Sequence, residues 1–282
     1  MNYRHAFHAG NFADIVKHAT LARIITHLRE KPAPFRVIDT HAGAGLYDLT
    51  ASQASRTGEW RFGIGRLIGQ LLPADVQALL APYLAAVARF NSCAALKFYP
   101  GSPALAHALL RPQDRLLVCE LEPVAARALA AHFGRDRQAK AIAIDGWTAL
   151  AAYIPPKERR GLVLIDPPFE QSSEFDRLVC GLAAAHRKWP TGIYMLWYPI
   201  KDLKETNAFA RGLARSGIPK ILRAELTLGP ADAERLAGAG LVLVNPPWRL
   251  EAELRTLLPA LAGILAQDGK GAARLDWLSA KD

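Results

Sequence analysis

Leu162-Val-Leu-Ile-Asp166-Pro167-Pro168-Phe169 ends an apolar run in a carboxylate, adds two prolines and closes on an aromatic ring. Asp166 and a nearby carbonyl can accept the two hydrogens of an exocyclic amino group, while Phe169 stacks on the flat ring that carries it. The prolines fix those acceptors beforehand, which is electrostatic preorganisation. The plainer reading is a strand that stops at a proline-rich turn. Arg36-Val-Ile-Asp-Thr-His-Ala-Gly-Ala-Gly45 runs a second apolar strand into a glycine turn, where a ligand can come close to the backbone. It is not the dinucleotide fingerprint, because the third glycine of G-x-G-x-x-G falls at Asp48. The acid that holds ribose hydroxyls at the end of the next strand is Glu120, with Glu122 as the spare.

Positioning these groups requires a particular scaffold. Strand candidates are Phe35 to Asp39, Arg115 to Glu120, Ala141 to Asp145, Gly161 to Asp166, Gly192 to Trp197, Ile221 to Leu228 and Leu241 to Asn245. Several are nearly continuous Val, Leu and Ile, as strands buried on both faces should be. Amphipathic stretches such as Val124 to Phe133 and Phe175 to Trp189 lie between them, which predicts a mainly parallel α/β sheet. Gly10 to Arg29 reads as a helix ahead of the first strand, with Asn11 as N-cap and Leu21, Ile24, Ile25 and Leu28 on one stripe. The gap from Gly45 to Arg115 is too long for a structureless loop. It predicts a helical insertion over residues 52–97, with a stretch opened by Pro73 and interrupted near Pro82, inside one domain spanning 1–282.

The 282 residues are 51% hydrophobic and 22% charged, a globular mixture that excludes a disordered chain. Apolar runs are too short for a membrane span, and Met1 to Gly10 lacks the apolar stretch of a secretory leader. Cys93, Cys119 and Cys180 have no metal-type spacing and argue against a disulfide scaffold, so a reduced, cytoplasmic protein is expected. The net charge of +9 is compatible with a polyanionic partner.

The Asp-Pro-Pro-aromatic tetrad belongs to S-adenosylmethionine-dependent amino-methyltransferases. With Asp39-Thr-His-Ala-Gly-Ala-Gly45, the chain resembles the RlmJ-type family of 23S rRNA adenine-N6 methyltransferases over nearly its whole length. The resemblance includes Tyr3-Arg-His-x-Phe-His-Ala-Gly-Asn11, Ala13-Asp-x-x-Lys-His18, Tyr99-Pro-Gly-Ser-Pro103, Asp145-Gly146, Ile193-Tyr194 with Leu196-Trp-Tyr-Pro199, and Asn245-Pro-Pro-Trp248. Phe169 stands where the family pattern leads one to expect Tyr.

The resemblance implies a Rossmann-like class I methyltransferase fold with a seven-stranded sheet, S-adenosyl-L-methionine as cofactor and 23S rRNA as substrate. It implies that the fourth strand lies beside the first, putting Asp166 next to the glycine turn as the catalytic and cofactor-contacting carboxylate. A competing tetrad, Asn245-Pro-Pro-Trp248, follows the antiparallel last strand and is read as structural. His41 in the turn is a candidate cofactor contact. Ser102-Pro103 reads as an N-cap with a first-turn proline, and the resemblance adds that Ser102 touches the cofactor. Asp145 and Gly146 fall where this fold holds the cofactor's adenine. The resemblance also implies that His18 borders the cofactor and that Tyr3, His5 and Lys17 serve the substrate, with Phe169 clamping the base.

Tyr3 could stack on a base and Lys17 could meet a phosphate. Arg4, Arg135, Arg137, Lys140, Lys157, Arg159 and Arg160 are further phosphate candidates, each also readable as a solvated charge. Four of the eight histidines lie in the first 27 residues, yet no paired Cys or carboxylate-rich loop accompanies them, so no metal is expected. A monomer acting on protein-free or partly assembled RNA is the expectation. A DNA adenine-N6 methyltransferase and a non-catalytic RNA-binding factor on the same fold stay open, whereas the missing third glycine disfavours a nicotinamide dehydrogenase.

Overall fold

A computed structural model describes residues 5–92, 95–171, 173–229, 236–266 and 270–280. After a single 3-10 turn at His5–Phe7 comes α1 (Phe12–Arg29), then β1 (Arg36–Asp39) and a short β2 (Leu46–Asp48). Four helices follow, α2 (Ser52–Thr57), α3 (Glu59–Phe62), α4 (Ile64–Leu67) and α5 (Ala74–Ala88), and β3 (Phe98–Pro100) brings the chain back. The remainder alternates except at β8 and β9, which follow one another: α6 (Ser102–Leu109), β4 (Arg115–Glu120), α7 (Pro123–Phe133), β5 (Ala139–Ala143), α8 (Gly146–Ala152), β6 (Gly161–Ile165), α9 (Glu174–Lys188), β7 (Ile193–Ile200), α10 (Leu203–Ala214), β8 (Ile221–Thr227), β9 (Gly238–Val244), α11 (Leu250–Leu265) and β10 (Ala272–Trp277).

The main sheet has the order β10-β8-β9-β7-β6-β1-β4-β5. Strands β7, β6, β1, β4 and β5 are mutually parallel, while β9 runs antiparallel to both β7 and β8. The expected seven strands are therefore eight: β10 adds an antiparallel edge beside β8. Its sequence, AARLDW, does alternate, with Ala273, Leu275 and Trp277 set against Arg274 and Asp276, but none of the six is fully buried, so a search for apolar runs passes over this edge strand. Successive strand residues point to opposite faces, and each face has its own core. Leu116 and Val118 pack with α1, α5, α6 and α11 residues, whereas Leu117 and Cys119 pack with Leu150, Leu178 and Leu182 from α8 and α9. Two covered faces explain the continuous apolar runs.

Helix α1 begins as expected. The Asn11 side chain accepts hydrogen bonds from the Ala13 and Asp14 amides. The helix is not a one-sided stripe, since 14 of its 18 residues are buried. It lies between the sheet and helices α5, α6 and α11. Pro82 does not interrupt α5. A proline inside a helix costs on the order of 3 kcal/mol. Here the carbonyl it fails to bond belongs to exposed Ala78, and burial of Leu80, Tyr83 and Val87 against neighbouring helices outweighs the loss. Among the described residues, no helix is long and apolar enough to cross a membrane.

Candidate active site

β1 lies between β6 and β4, so the chain order reverses at the β1–β6 boundary. In such sheets ligands bind beyond the carboxyl ends of the strands at that crevice. The turn after β1 starts at Thr40, whose hydroxyl donates to the Leu164 carbonyl of β6. Ala42 bonds back to Cys119 of β4, so the glycine turn is tied to both neighbouring strands. Gly43 and Gly45 have φ of 62° and 85°, the left-handed region that favours glycine. Glu120 ends β4. Its Oε2 accepts from the Gly43 amide at 2.7 Å, and its Oε1 accepts from the amides of Leu121 and Glu122 at 2.8 and 2.7 Å. Glu122 is not a spare ligand here: it caps α7 through the Ala125 amide.

Asp145 follows β5 and caps α8, accepting from Thr148. At Gly146 a side chain would run into the Thr40 carbonyl and the His41 ring, so the turns after β1 and β5 touch only because this residue is glycine. His41 shares a 2.9 Å hydrogen bond with the Thr40 hydroxyl and stands edge-on to Trp147. Burial lowers its pKa to about 4, leaving a neutral imidazole. Ser102 lies in the first turn of α6, but Gly101 is the cap residue and the serine side chain makes no capping bond. Its hydroxyl donates instead to Asp39 at 2.6 Å. The capping expectation fails because Ser102 is already the first residue of the helix, one position past the cap.

Asp166 follows β6 directly beside the β1 turn, as the expected topology requires. Its Oδ2 is 2.6 Å from Lys17 Nζ, and that ammonium is also 2.9 Å from Asp14 Oδ1. Lys17 is only 5% exposed, so it is held inside between two carboxylates rather than offered to a phosphate at the surface. His5 Nε2 lies 3.0 Å from Asp14 Oδ2, bringing the N-terminal segment to the same place. His18, the residue after Lys17, shares a 2.8 Å hydrogen bond with Tyr99, which in turn bonds Tyr83. Burial depresses His18 to about 3, so it too is neutral. Phe169 is half-buried at φ 52°, with its ring edge-on to Phe175 and Trp197. Tyr3 and Arg4 lie outside the described residues. Arg160 is not a phosphate contact: its guanidinium donates to the Ala33 and Leu28 carbonyls and ties down the end of α1.

The other tetrad has a different task. Asn245, at φ 52°, donates to the Pro190 and Gly192 carbonyls, and Trp248 is 79% exposed. It follows a strand antiparallel to β7, away from the glycine turn.

Sequence reasoning missed two carboxylates. Asp39, at the end of β1, is 1% exposed, and burial raises its pKa to about 7 despite the Ser102 bond, with the Asp166 charge adding to the rise. Asp14 is equally buried. Burial alone would raise its pKa, yet His5, Lys17 and His18 hold it well below the usual carboxylate range. The signal for Asp14 was its spacing, one turn before Lys17 on a helix.

The ends of four adjacent parallel strands thus present a glycine turn, a ribose-type acid, a capped Asp-Gly turn and a proline-braced carboxylate. Their chemistry fits S-adenosylmethionine: Glu120 suits a ribose diol, Asp145 and Gly146 an adenine edge, and the β1 turn the amino-acid portion. Among the described residues, no group of three or more His, Cys, Asp or Glu could hold a metal ion. Residues 32–279 match the profile of the family described as ribosomal RNA large subunit methyltransferase D, RlmJ. The chain belongs to this family. Two RlmJ relatives named ribosomal RNA large subunit methyltransferase J extend the match to the full length. The Escherichia coli K12 protein is 42% identical over 280 residues, and the Haemophilus influenzae Rd protein is 39% identical over 282, with 99% of each chain covered. A crystal structure of a Legionella pneumophila protein superposes with a TM-score of 0.87 at 34% identity, covering 95% of this chain and 98% of that one. The RlmJ family and the observed sheet order together make this a class I S-adenosylmethionine-dependent methyltransferase fold.

Proposed function

We propose that the protein transfers a methyl group from S-adenosylmethionine to N6 of an adenine in 23S ribosomal RNA. The observation that carries the reading is Asp166 at the carboxyl end of β6, beside the glycine turn of β1, with its carboxylate gripped by Lys17 at 2.6 Å. Membership of the RlmJ family supports large-subunit ribosomal RNA as the substrate.

The N6 lone pair is delocalised into the ring, so the amine is a poor nucleophile until hydrogen bonding pulls it toward tetrahedral geometry. Asp166 accepts one amine hydrogen and receives the proton as the bond to carbon forms. The Pro167 carbonyl accepts the other, and Phe169 covers the ring. Lys17 fixes the carboxylate's orientation. His18, His41, Ser102, Glu120, Asp145 and Gly146 hold the cofactor, which supplies an electrophilic sulfonium methyl when bound. We assign Tyr3, His5 and Lys17 to the substrate, as the family resemblance implies, Lys17 acting through Asp166. The rest of the rate comes from alignment of donor and acceptor. The base must leave its stack, at a cost of a few kcal/mol that is least where it is unpaired. We read the chain as one catalytic unit with residues 52–97 inserted into it, acting as a cytoplasmic monomer on protein-free or partly assembled RNA.

The test is transfer of labelled methyl to protein-free large-subunit rRNA from a strain lacking this protein, with assembly intermediates and duplex DNA alongside. Label recovered as N6-methyladenine in rRNA is the expected result, and Asp166→Ala should abolish it per folded molecule, in a protein that still folds although Lys17 has lost one of its two carboxylates. Label in DNA alone would overturn the substrate. Near-normal turnover by the variant would overturn the catalytic assignment.

A further inference from the structure

Asp14 has more polar partners than any catalytic candidate and belongs to none of the roles above. It sits in the first turn of α1, 1% exposed. Oδ2 accepts from the Gly10 amide at 2.9 Å and meets His5 Nε2 at 3.0 Å. Oδ1 lies 2.9 Å from Lys17 Nζ and 3.8 Å from His18 Nε2. Through Lys17 the chain of contacts ends on Asp166. One carboxylate therefore joins the N-terminal segment, the lysine and the tetrad.

Burying a lysine beside a single carboxylate loses more hydration than the pair returns unless further partners satisfy its protons. Asp14 supplies the second anion. It sets where the ammonium rests and divides its charge, so that Asp166 is oriented by Lys17 without being fully claimed by it. We propose that Asp14 is a positioning residue for methyl transfer, acting through Lys17 on Asp166 while its other oxygen draws His5 to the same site. This rests on the adenine-N6 reading above.

Two variants separate the charge from the shape. Asp14→Asn keeps the size and the acceptor for Gly10 but removes the anion. Asp14→Glu keeps the anion one methylene away. A positioning charge predicts that kcat falls roughly 10- to 100-fold in Asp14→Asn, with KM for S-adenosylmethionine changed less than about threefold and less turnover than Asp14→Glu. A purely structural role in holding the Gly10 amide predicts the reverse order, because the isosteric amide is the milder change there. Turnover is expressed per cofactor-binding site, titrated by calorimetry, so that partial unfolding does not enter. In a Lys17→Met background, Asp14→Asn should cost less than about twofold more, since non-additivity marks residues that act as a unit. Multiplying effects, the reverse variant order, or Asp14→Asn within threefold of the parent would each overturn the proposal. If the parent protein itself methylates neither rRNA nor DNA, the adenine-N6 reading fails instead.

Discussion

Asp39 is a carboxyl group shut away from water at the floor of the cofactor crevice, and its proton is part of the fold. Its pKa of about 7 lies above that of a carboxylate in an unfolded chain, near 4. Between those values the folded protein holds a proton that the unfolded chain has released. The group's contribution to stability therefore falls as pH rises through that window. Asp39→Asn should make stability less pH-dependent between pH 4 and 7, and at pH 8 the variant should be at least as stable as the parent. Urea unfolding at pH 5 and pH 8 checks this, and a steeper dependence in the variant would refute it. The sequence placed Asp39 at a strand end but gave no hint of its protonation, which comes first from burial in the folded chain, with Ser102, 63 positions away, opposing it and Asp166, 127 away, adding to it. Lys17 was likewise singled out, as a residue for the substrate, while its pairing with Asp166 was not. Helical spacing put Asp14 beside it, but only the tertiary fold set Asp166 opposite.

At the scale of elements, two tetrads of the same pattern stand at opposite edges of the sheet because their strands run in opposite directions. The left-handed backbone falls on the last residue of one, Phe169, and on the first of the other, Asn245. Asn tolerates that conformation and bulky residues resist it, so strain is concentrated in the tetrad beside the glycine turn. Asn245→Ala should lose two hydrogen bonds to carbonyls and destabilise the protein by about 1–3 kcal/mol. Methyl transfer per folded molecule should be unchanged, and a loss of kcat at full folding would show that the second tetrad reaches the chemistry. Strand positions and the Asn11 cap were readable because they rest on local pattern, whereas the placing of the fourth strand beside the first came from the family resemblance alone. β2 and β3 were not readable, since three residues each are too few to show a period. Nor was the grip of the inserted helices on the N-terminal segment. Glu59 bonds both His8 and Asn11, the Thr57 hydroxyl donates to the Phe7 carbonyl, and the Ile64 amide donates to Gly10. A side chain at Gly63 would collide with that segment.

Across the whole molecule, the first helix is held by the last. Arg23 forms a two-pronged pair with Glu253 of α11 at 2.9 and 2.7 Å, and His27 reaches the same carboxylate at 3.1 Å. Burial would raise the Glu253 pKa, but these partners bring it to about 2. The stabilisation is therefore complete above the ordinary glutamate range near pH 4.5 and is lost as pH falls toward 2. Glu253→Gln should cost about 1–3 kcal/mol at pH 7, less than a fully buried pair, and much less at pH 3. Equal losses at both pH values in calorimetric unfolding would exclude the ion pair as the cause. Arg23 and Glu253 are 230 residues apart. At ~5–20 residues per second, α1 leaves the ribosome about 10–50 s before the helix that covers it is made. For that interval the side of α1 that α11 will cover stays open to water, although α5 and α6 already flank the helix. A nascent chain arrested before Leu250 is thus a ligand for holdase chaperones, and the rate of translation through the last third of the message becomes a determinant of yield.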